Sequence, residues 1–265
     1  MTASPLEATL RAALNKRREA GTAQPVLLMS HLVLGYPSLE ENRRVIAAMV
    51  AAGVDIMELQ IPFSEPMADG PVIARANQEA LERGFKVSDG LRFMKEIVRD
   101  FAIPFLGMTY CNILFARGVD RFMEETAAAG LQGLIIPDLP LEEATEAMAA
   151  ATTRKMDWIQ LFTPMTTDAR LEELGKPASG FAYCVARKGV TGQETDFGRS
   201  LGGFLQRCRR VTSVPLAVGF GVKGPEDVAA LAGIAEIAVV GSAAIDIHDR
   251  KGAEAVGEFF RGLRS

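Results

Sequence analysis

The chain has few of the residues that build metal centres and disulfide frameworks. Its 265 residues include 3 cysteines and 2 histidines. The cysteines are too few and too scattered for a disulfide framework or a CxxC metal site. His31 and His248 alone cannot supply a histidine-rich zinc or iron centre. We therefore expect no metal on this chain.

The sequence also lacks the signals of two kinds of partner. Lys and Arg number 29 against 33 Asp and Glu, and no basic run suits a nucleic-acid backbone. The first residues lack the apolar stretch of a signal peptide, and no run approaches the roughly 20 apolar residues that a membrane helix needs. These absences favour a cytoplasmic protein that binds neither nucleic acid nor a membrane, with a small molecule as substrate.

The apolar segments predict an α/β fold. Hydrophobic residues make up 48% of the chain, and short apolar runs alternate with amphipathic stretches, as in parallel strands joined by helices. Eight such runs match the (β/α)8 TIM barrel, which often needs about 250 residues around one core. We therefore expect residues 1–265 to form a single barrel domain. The eight strand candidates are residues 26–34, 55–59, 104–108, 133–136, 157–161, 180–185, 216–219 and 236–240.

A further helix is predicted before the first strand. Leu6, Leu10, Ala13 and Leu14 recur at helical spacing. This extra N-terminal helix is expected to close the bottom of the barrel. Catalytic groups of this fold lie at the other end, where the strands finish and the following loops begin. Glu58, Asp69 and Asp138 occupy such positions.

One segment and several shorter motifs identify a family resemblance. Residues 57–71 read MELQIPFSEPMADGP, and residues 137–140 read PDLP. Tyr110 with Asn112, RKGVTG at 187–192, GFG at 219–221 and GS at 241–242 follow in order. Together with LG at 34–35 and Pro37, these motifs resemble the tryptophan synthase α chain family over nearly the whole barrel.

The resemblance implies a reaction and an assembly. Members cleave indole-3-glycerol phosphate, by a retro-aldol reaction, to indole and glyceraldehyde 3-phosphate in L-tryptophan biosynthesis. The resemblance implies no cofactor on this chain, and an α2β2 heterotetramer with a β chain that carries pyridoxal phosphate. Cleavage of that carbon bond needs a proton on indole C3 and removal of a proton from the adjacent hydroxyl.

Glu58 is the candidate for this proton transfer. It ends an apolar strand, where partial desolvation favours a neutral, proton-carrying carboxyl group. We expect Glu58 to protonate C3 and, as carboxylate, to accept the hydroxyl proton, a role that the resemblance also implies. The alternative is a strand-end glutamate that merely pairs with a base.

Asp69 is the second candidate carboxylate. In an exposed-looking turn it is expected to stay ionised, to accept the indole N–H and to oppose positive charge on the ring. A purely turn-forming role is the alternative, since Asp before Gly often folds a loop.

Tyr183 and Asp138 are assigned supporting roles. Tyr183, a third catalytic candidate, is expected to bond the glyceryl part of the substrate or to orient Glu58, unless it is simply a core residue. Asp138 resembles the family aspartate that couples loops across the barrel mouth, and it could equally cap a helix beginning near Leu141.

The phosphate is expected at the last two strands. Loops there commonly present backbone N–H groups to phosphate, and glycine permits close approach. Each of these glycines alone could be only a turn residue. The motif matches assign substrate and phosphate binding to Gly192, Phe220, Gly221, Gly241 and Ser242.

The loop at 187–192 resembles a lid that closes over substrate. Arg187 and Thr191 are its candidate residues, with Thr191 contacting the region of Asp69, and its glycines favour movement. A plain surface loop has a similar composition.

An indole ring also needs apolar walls. The wall candidates are His31, Met108, Tyr110, Ile135 and Phe220.

Four positions depart from the family pattern. His31 replaces an aromatic residue, Tyr36 replaces Asp, Gln60 replaces Gly and Glu65 replaces Asp. In the family the segment 62–66 touches the β chain, so Glu65 and Gln60 bear on which partner fits. His31 is expected either to pack as a neutral strand residue or to make the pocket more polar.

Two other readings of function stay open on the sequence alone. The phosphate loops also suit a free-standing lyase or isomerase that acts on a phosphorylated substrate with this fold. A non-catalytic α-like subunit that regulates a β chain is the second reading, and the presence of both carboxylates argues against it.

Overall fold

A computed structural model describes residues 3–21, 25–186, 194–219 and 221–264, and of residues 194–199 only the helical backbone. The strands are β1 (Leu27–Val33), β2 (Ile56–Gln60), β3 (Phe105–Met108), β4 (Gly133–Ile135), β5 (Asp157–Trp158), β6 (Gln160–Phe162), β7 (Ala182–Val185), β8 (Leu216–Gly219) and β9 (Ile237–Val240). The helices are α1 (Pro5–Glu19), α2 (Leu39–Ala51), α3 (Pro71–Glu82), α4 (Val87–Asp100), α5 (Cys111–Arg117), α6 (Val119–Ala128), α7 (Thr145–Thr153), α8 (Asp168–Gly175), α9 (Glu194–Val211), α10 (Pro225–Ala229) and α11 (Ser242–Gly262).

The strands form one parallel sheet that closes into a barrel. Its order is β5-β4-β3-β2-β1-β9-β8-β7-β6. β5 pairs with β4 and β6 pairs with β7, and only Ile159 separates these two short strands. They are therefore two halves of the fifth barrel strand, and β7, β8 and β9 are the sixth, seventh and eighth. The predicted TIM barrel and its eight strand positions are confirmed.

Two apolar layers hold the barrel. The outer layer packs helices against the outside of the sheet, with Ile46 of α2 and Phe260 of α11 fully buried. The inner layer fills the barrel with side chains from alternate positions, among them Met29, Leu106 and Phe181. Strands covered on both faces read as continuous apolar runs. This explains why the runs could be recognised in the sequence.

The predicted N-terminal helix is present and closes the barrel bottom. Ser4 accepts a hydrogen bond from the backbone N–H of Glu7 at 3.1 Å and so caps α1. Its hydroxyl also donates to Asp157 at 2.6 Å. Leu6, Leu10 and Leu14 are 0–3% exposed and pack into the inner layer. The helix therefore forms part of the core.

Shortening a leucine of α1 is expected to destabilise the protein. Leu10→Ala leaves a cavity in the inner layer and should lower the free energy of unfolding by about 2–5 kcal/mol. Urea denaturation followed by circular dichroism measures the change. Thr9→Ala, on the exposed side of α1, is the matched control and should change stability by no more than about 0.5 kcal/mol. Equal effects of the two variants would show that α1 is not part of the core.

The register of β1 and β2 places two polar side chains inside the barrel. His31 lies opposite Glu58, and two residues earlier Met29 lies opposite Ile56. Side chains alternate along a strand, so residues two apart share a face. Met29 and Ile56 belong to the inner layer. His31 and Glu58 therefore point inward too, nearer the carboxyl ends of the strands.

Candidate active site

A cavity opens at the carboxyl ends of the strands. Its volume is about 1380 Å³, counted to include the open mouth. The predicted site residues that line it are His31, Glu58, Asp69, Met108, Ile135, Tyr183, Gly221, Gly241 and Ser242. Both candidate carboxylates thus border the same space, together with apolar walls and the two glycine loops.

Glu58 sits deep in this cavity beside His31. Glu58 is 3% exposed and His31 5%. Their closest atoms, Glu58 Oε1 and His31 Nδ1, are 3.2 Å apart. Glu58 Oε2 has no hydrogen-bond partner among the described residues. One carboxyl oxygen is therefore held by the histidine and the other is left for a ligand.

The charge on these groups is set by their neighbours. Burial lowers the pKa of His31, but the carboxylates of Glu58 and Asp69 and the Gln60 side chain outweigh it, and the pKa is raised above 6.5. The neighbouring carboxylates therefore favour a proton on this imidazole, beside Glu58.

The Asp69 carboxylate is held by two hydrogen-bond donors. Its Oδ2 accepts hydrogen bonds from Gln60 Nε2 at 2.7 Å and from the Tyr110 hydroxyl at 3.1 Å. The turn is exposed at Met67 and Ala68, as expected, but Asp69 itself is half-buried. Burial raises its pKa, although His31, Gln60 and Tyr110 each favour the carboxylate.

Tyr110 lies beneath the loop that carries Asp69. It is fully buried, its ring stacks on Phe63 at 5.2 Å, and its hydroxyl oxygen accepts a hydrogen bond from Ala68 N at 3.2 Å. The structure thus gives Tyr110 a role in holding the loop and Asp69, while Met108 and Ile135 line the cavity.

Tyr183 lines the cavity between the carboxylates and the seventh strand. Burial and the nearby Glu58 and Asp69 raise its pKa well above 10, so the phenol stays protonated and can donate. A Cβ on Gly219 would lie 3.3 Å from the Tyr183 ring. Glycine at the end of β8 therefore makes room for this side chain.

The part of the cavity wall that follows β8 and β9 presents backbone donors. α11 begins at Ser242 with Gly241 as its N-cap, and the first N–H groups of a helix have no partner within the helix. Gly221, with φ of +83°, has no atom within 4 Å of where a Cβ would stand. This wall suits an anion. The predicted residues Arg187, Thr191, Gly192 and Phe220 lie outside the described residues.

Lys223 is a residue of the cavity that sequence reasoning missed. It is exposed in the loop after β8 and lines the cavity close to Gly221 in the chain. A lone lysine in a loop is usually only a solvated charge. Its position two residues after the GFG motif was the available signal, because that loop faces the barrel mouth.

Asp138 connects two loops of the mouth. It accepts a hydrogen bond from the backbone N–H of Cys111 at 2.9 Å, the first residue of α5. The alternative of a cap for a helix near Leu141 is wrong, because α7 begins only at Thr145. Asp138 thus ties the loop after β4 to the helix that follows β3.

Tyr36 and Glu65 lie outside the cavity lining. The Tyr36 hydroxyl donates to Asp249 at 2.9 Å, and the guanidinium of Arg75 lies 5.3 Å from its ring centroid. Tyr36 therefore links α3 to α11. Glu65 is exposed on the loop after β2.

Two further features bear on the kind of protein. In the described ranges no helix combines the length and apolar character that a membrane crossing requires. Across those same residues, no three His, Cys, Asp or Glu side chains are grouped so that they could hold a metal ion.

The parallel barrel and the two carboxylates in the cavity at its mouth fit the class of TIM-barrel lyases. The family model for "Tryptophan synthase alpha chain" matches residues 17–259. The chain belongs to the tryptophan synthase alpha chain family.

Relatives and solved structures agree with this assignment. The tryptophan synthase alpha chain of Syntrophotalea carbinolica is 51% identical, covering 98% of this chain and 100% of the relative. The tryptophan synthase alpha chain of Desulforapulum autotrophicum is 49% identical, and the match covers 93% of this chain and 97% of the relative. A structure of Mycobacterium tuberculosis tryptophan synthase superposes with a TM-score of 0.88 at 32% sequence identity. The match covers 99% of this chain and 98% of that chain. A structure of the tryptophan synthase α2β2 complex from Pyrococcus furiosus superposes with a TM-score of 0.83 at 33% sequence identity. The match covers 89% of this chain and 97% of that chain.

Proposed function

We propose that this chain cleaves indole-3-glycerol phosphate to indole and glyceraldehyde 3-phosphate as the α subunit of a tryptophan synthase. One observation carries the proposal: Glu58 and Asp69 line the same cavity as Gly241 and Ser242, so that its wall includes the N-terminus of α11. A ring bound between the carboxylates leaves a phosphorylated side chain to reach that wall.

Glu58 performs the proton transfers. Its free Oε2 passes a proton to indole C3, which turns the ring into an iminium-like electron sink. Glu58, now a carboxylate, accepts the proton of the adjacent side-chain hydroxyl. The carbon–carbon bond then breaks, its electrons return to the ring, and the hydroxyl carbon becomes the aldehyde. One proton is given and one is taken back, so Glu58 ends as it began.

Asp69 stabilises the charge that this step creates. Its carboxylate accepts the indole N–H and opposes the positive charge on the ring. Gln60 and Tyr110 hold Oδ2, which leaves Oδ1 for the substrate. Donors fixed in advance need no reorganisation during the reaction. Tyr183 donates to the glyceryl oxygens between the two acids.

The phosphate binds at Gly221, Gly241 and Ser242, and Lys223 adds a charge. Lys223→Gln is expected to raise KM about twofold to fivefold with little change in kcat, as for a solvent-exposed charge pair. Steady-state kinetics measure both constants. Lys16→Gln, on α1 at the opposite end of the barrel, is the matched control. A fall in kcat with KM unchanged would place Lys223 in the chemistry instead.

The proposal extends to assembly and location. A β chain that carries pyridoxal phosphate is the partner, in an α2β2 heterotetramer for L-tryptophan biosynthesis. The α2β2 complex of Pyrococcus furiosus supports this arrangement. We place the enzyme in the cytoplasm and assign residues 1–265 to one domain, with the single sheet of the described residues as support.

The test is indole release from indole-3-glycerol phosphate by the purified chain, alone and with a cognate β chain. We expect indole in both cases and faster release with the β chain. Equal rates would favour a free-standing lyase. Absence of indole in both, with the β chain still responding to the added chain, would favour a non-catalytic regulatory subunit.

A further inference from the structure

The site contains a cluster of buried polar side chains. His31, Glu58 and Gln60 lie on the inner faces of adjacent strands, and Gln60 donates to Asp69. All three are at most 5% exposed. Three of their polar atoms, His31 Nε2, Glu58 Oε2 and Gln60 Oε1, have no hydrogen-bond partner among the described residues. Such atoms are costly to bury unless a ligand or a proton uses them.

The proposed function leaves His31 without a role, although it contacts the acid that moves the proton. A packed apolar side chain would fill this position at no electrostatic cost. An imidazole 3.2 Å from a buried carboxylate can instead share a proton with it. The register that places His31 opposite Glu58 fixes this contact through the backbone.

We propose that His31 is a positioning residue that orients the Glu58 carboxyl group and holds its proton between turnovers. The idea rests on the proposed function of Glu58. The pair carries one proton in the resting enzyme. For the reaction the Glu58 carboxyl group turns this proton from the His31 side to the cavity side, where it passes to indole C3. The proton taken from the substrate hydroxyl restores the pair, so the proton count is unchanged after each cycle.

The surroundings of the pair favour this single proton. On the cavity side the titratable groups among the described residues are Asp69 from the loop after β2, Tyr183 from β7 and Lys223 from the loop after β8. Behind β1, Tyr36 and His248 line a second, small cavity with His31. Asp69 favours the protonated pair, and the protonated Tyr183 brings no charge to it.

A pH dependence follows from the second proton acceptor. The shared proton can reside on His31 or on Glu58. The pair therefore loses it with an apparent pKa that is no lower than the pKa of either group with the other unprotonated. The alkaline fall of kcat/KM should therefore move to lower pH in His31→Phe, with kcat reduced more than KM is changed. His31→Gln, which keeps a polar side chain without a titrating ring, should show the same displacement.

The two histidines of the chain allow a test that does not depend on activity. NMR titration of imidazole-labelled protein should show His31 titrating above pH 6.5 in the wild type and at lower pH in Glu58→Gln. The signal lost in His31→Phe or His31→Gln assigns the spectrum.

The outcomes separate the two proposals. The proton-sharing proposal would be overturned if His31 titrated at the same pH in Glu58→Gln as in the wild type. It would also be overturned if the alkaline fall of kcat/KM stayed at the wild-type pH in both His31 variants. If the wild type releases no indole while His31 still responds to Glu58→Gln, the lyase function fails and the proton-sharing pair stands.

Discussion

Glu58→Gln is expected to lower the rate of indole release by at least about 100-fold, the lower range for loss of a general acid or base. The amide fills the same space but neither donates an acidic proton to C3 nor accepts the hydroxyl proton. Single-turnover kinetics with indole-3-glycerol phosphate measure the loss directly. The fold should survive, because the substitution removes a charge and leaves the packing of β2 in place.

The matched control for this result is Glu146→Gln. That carboxylate is exposed on α7, outside the cavity lining, and its loss should leave turnover unchanged. Circular dichroism and unfolding curves of both variants exclude a folding defect. Near-normal turnover in Glu58→Gln would remove Glu58 from the mechanism.

Asp69→Asn is the second change with a large expected effect. Loss of one preorganised electrostatic partner should lower kcat about 100- to 1,000-fold. Binding of glyceraldehyde 3-phosphate should change little, because the carboxylate acts on ring charge that exists only during cleavage.

Because burial raises the pKa of Asp69, wild-type activity should be lost on acidification at a higher pH than an exposed Asp would give.

Tyr110→Phe provides the comparison for Asp69. It removes one donor to Oδ2 and to the loop but keeps the ring that stacks on Phe63. A smaller loss of kcat is expected, because Gln60 still holds the carboxylate. A loss in Tyr110→Phe as large as that in Asp69→Asn would indicate that the loop position, and not the charge, is what matters.

Most of the barrel could be predicted because its strands are buried on both sides. Each strand candidate overlaps an observed strand, and the leucine spacing of α1 gave the helix at the barrel bottom. The break at Ile159 could not be predicted, because it depends on pairing with two different neighbours. The start of α7 was also misjudged, since no capping side chain marks it.

The site was predicted less completely, because its properties depend on contacts between distant segments. The family motifs gave Glu58 and Asp69, but local sequence suggested an exposed Asp69, whereas Tyr110 and Gln60 hold it in a half-buried position. The pairing of His31 with Glu58 follows from strand register, which a single strand does not reveal. Lys223 belongs to no motif, and its position two residues after GFG was its only signal in the sequence before the fold placed it in the cavity.

A crystal structure of Glu58→Gln with intact indole-3-glycerol phosphate tests the central claim most directly. We predict the indole N–H against Asp69, C3 and the side-chain hydroxyl beside residue 58, and the phosphate at Gly221 and Ser242. Substrate bound elsewhere, or a ring that cannot reach residue 58 and Asp69 together, would contradict the account.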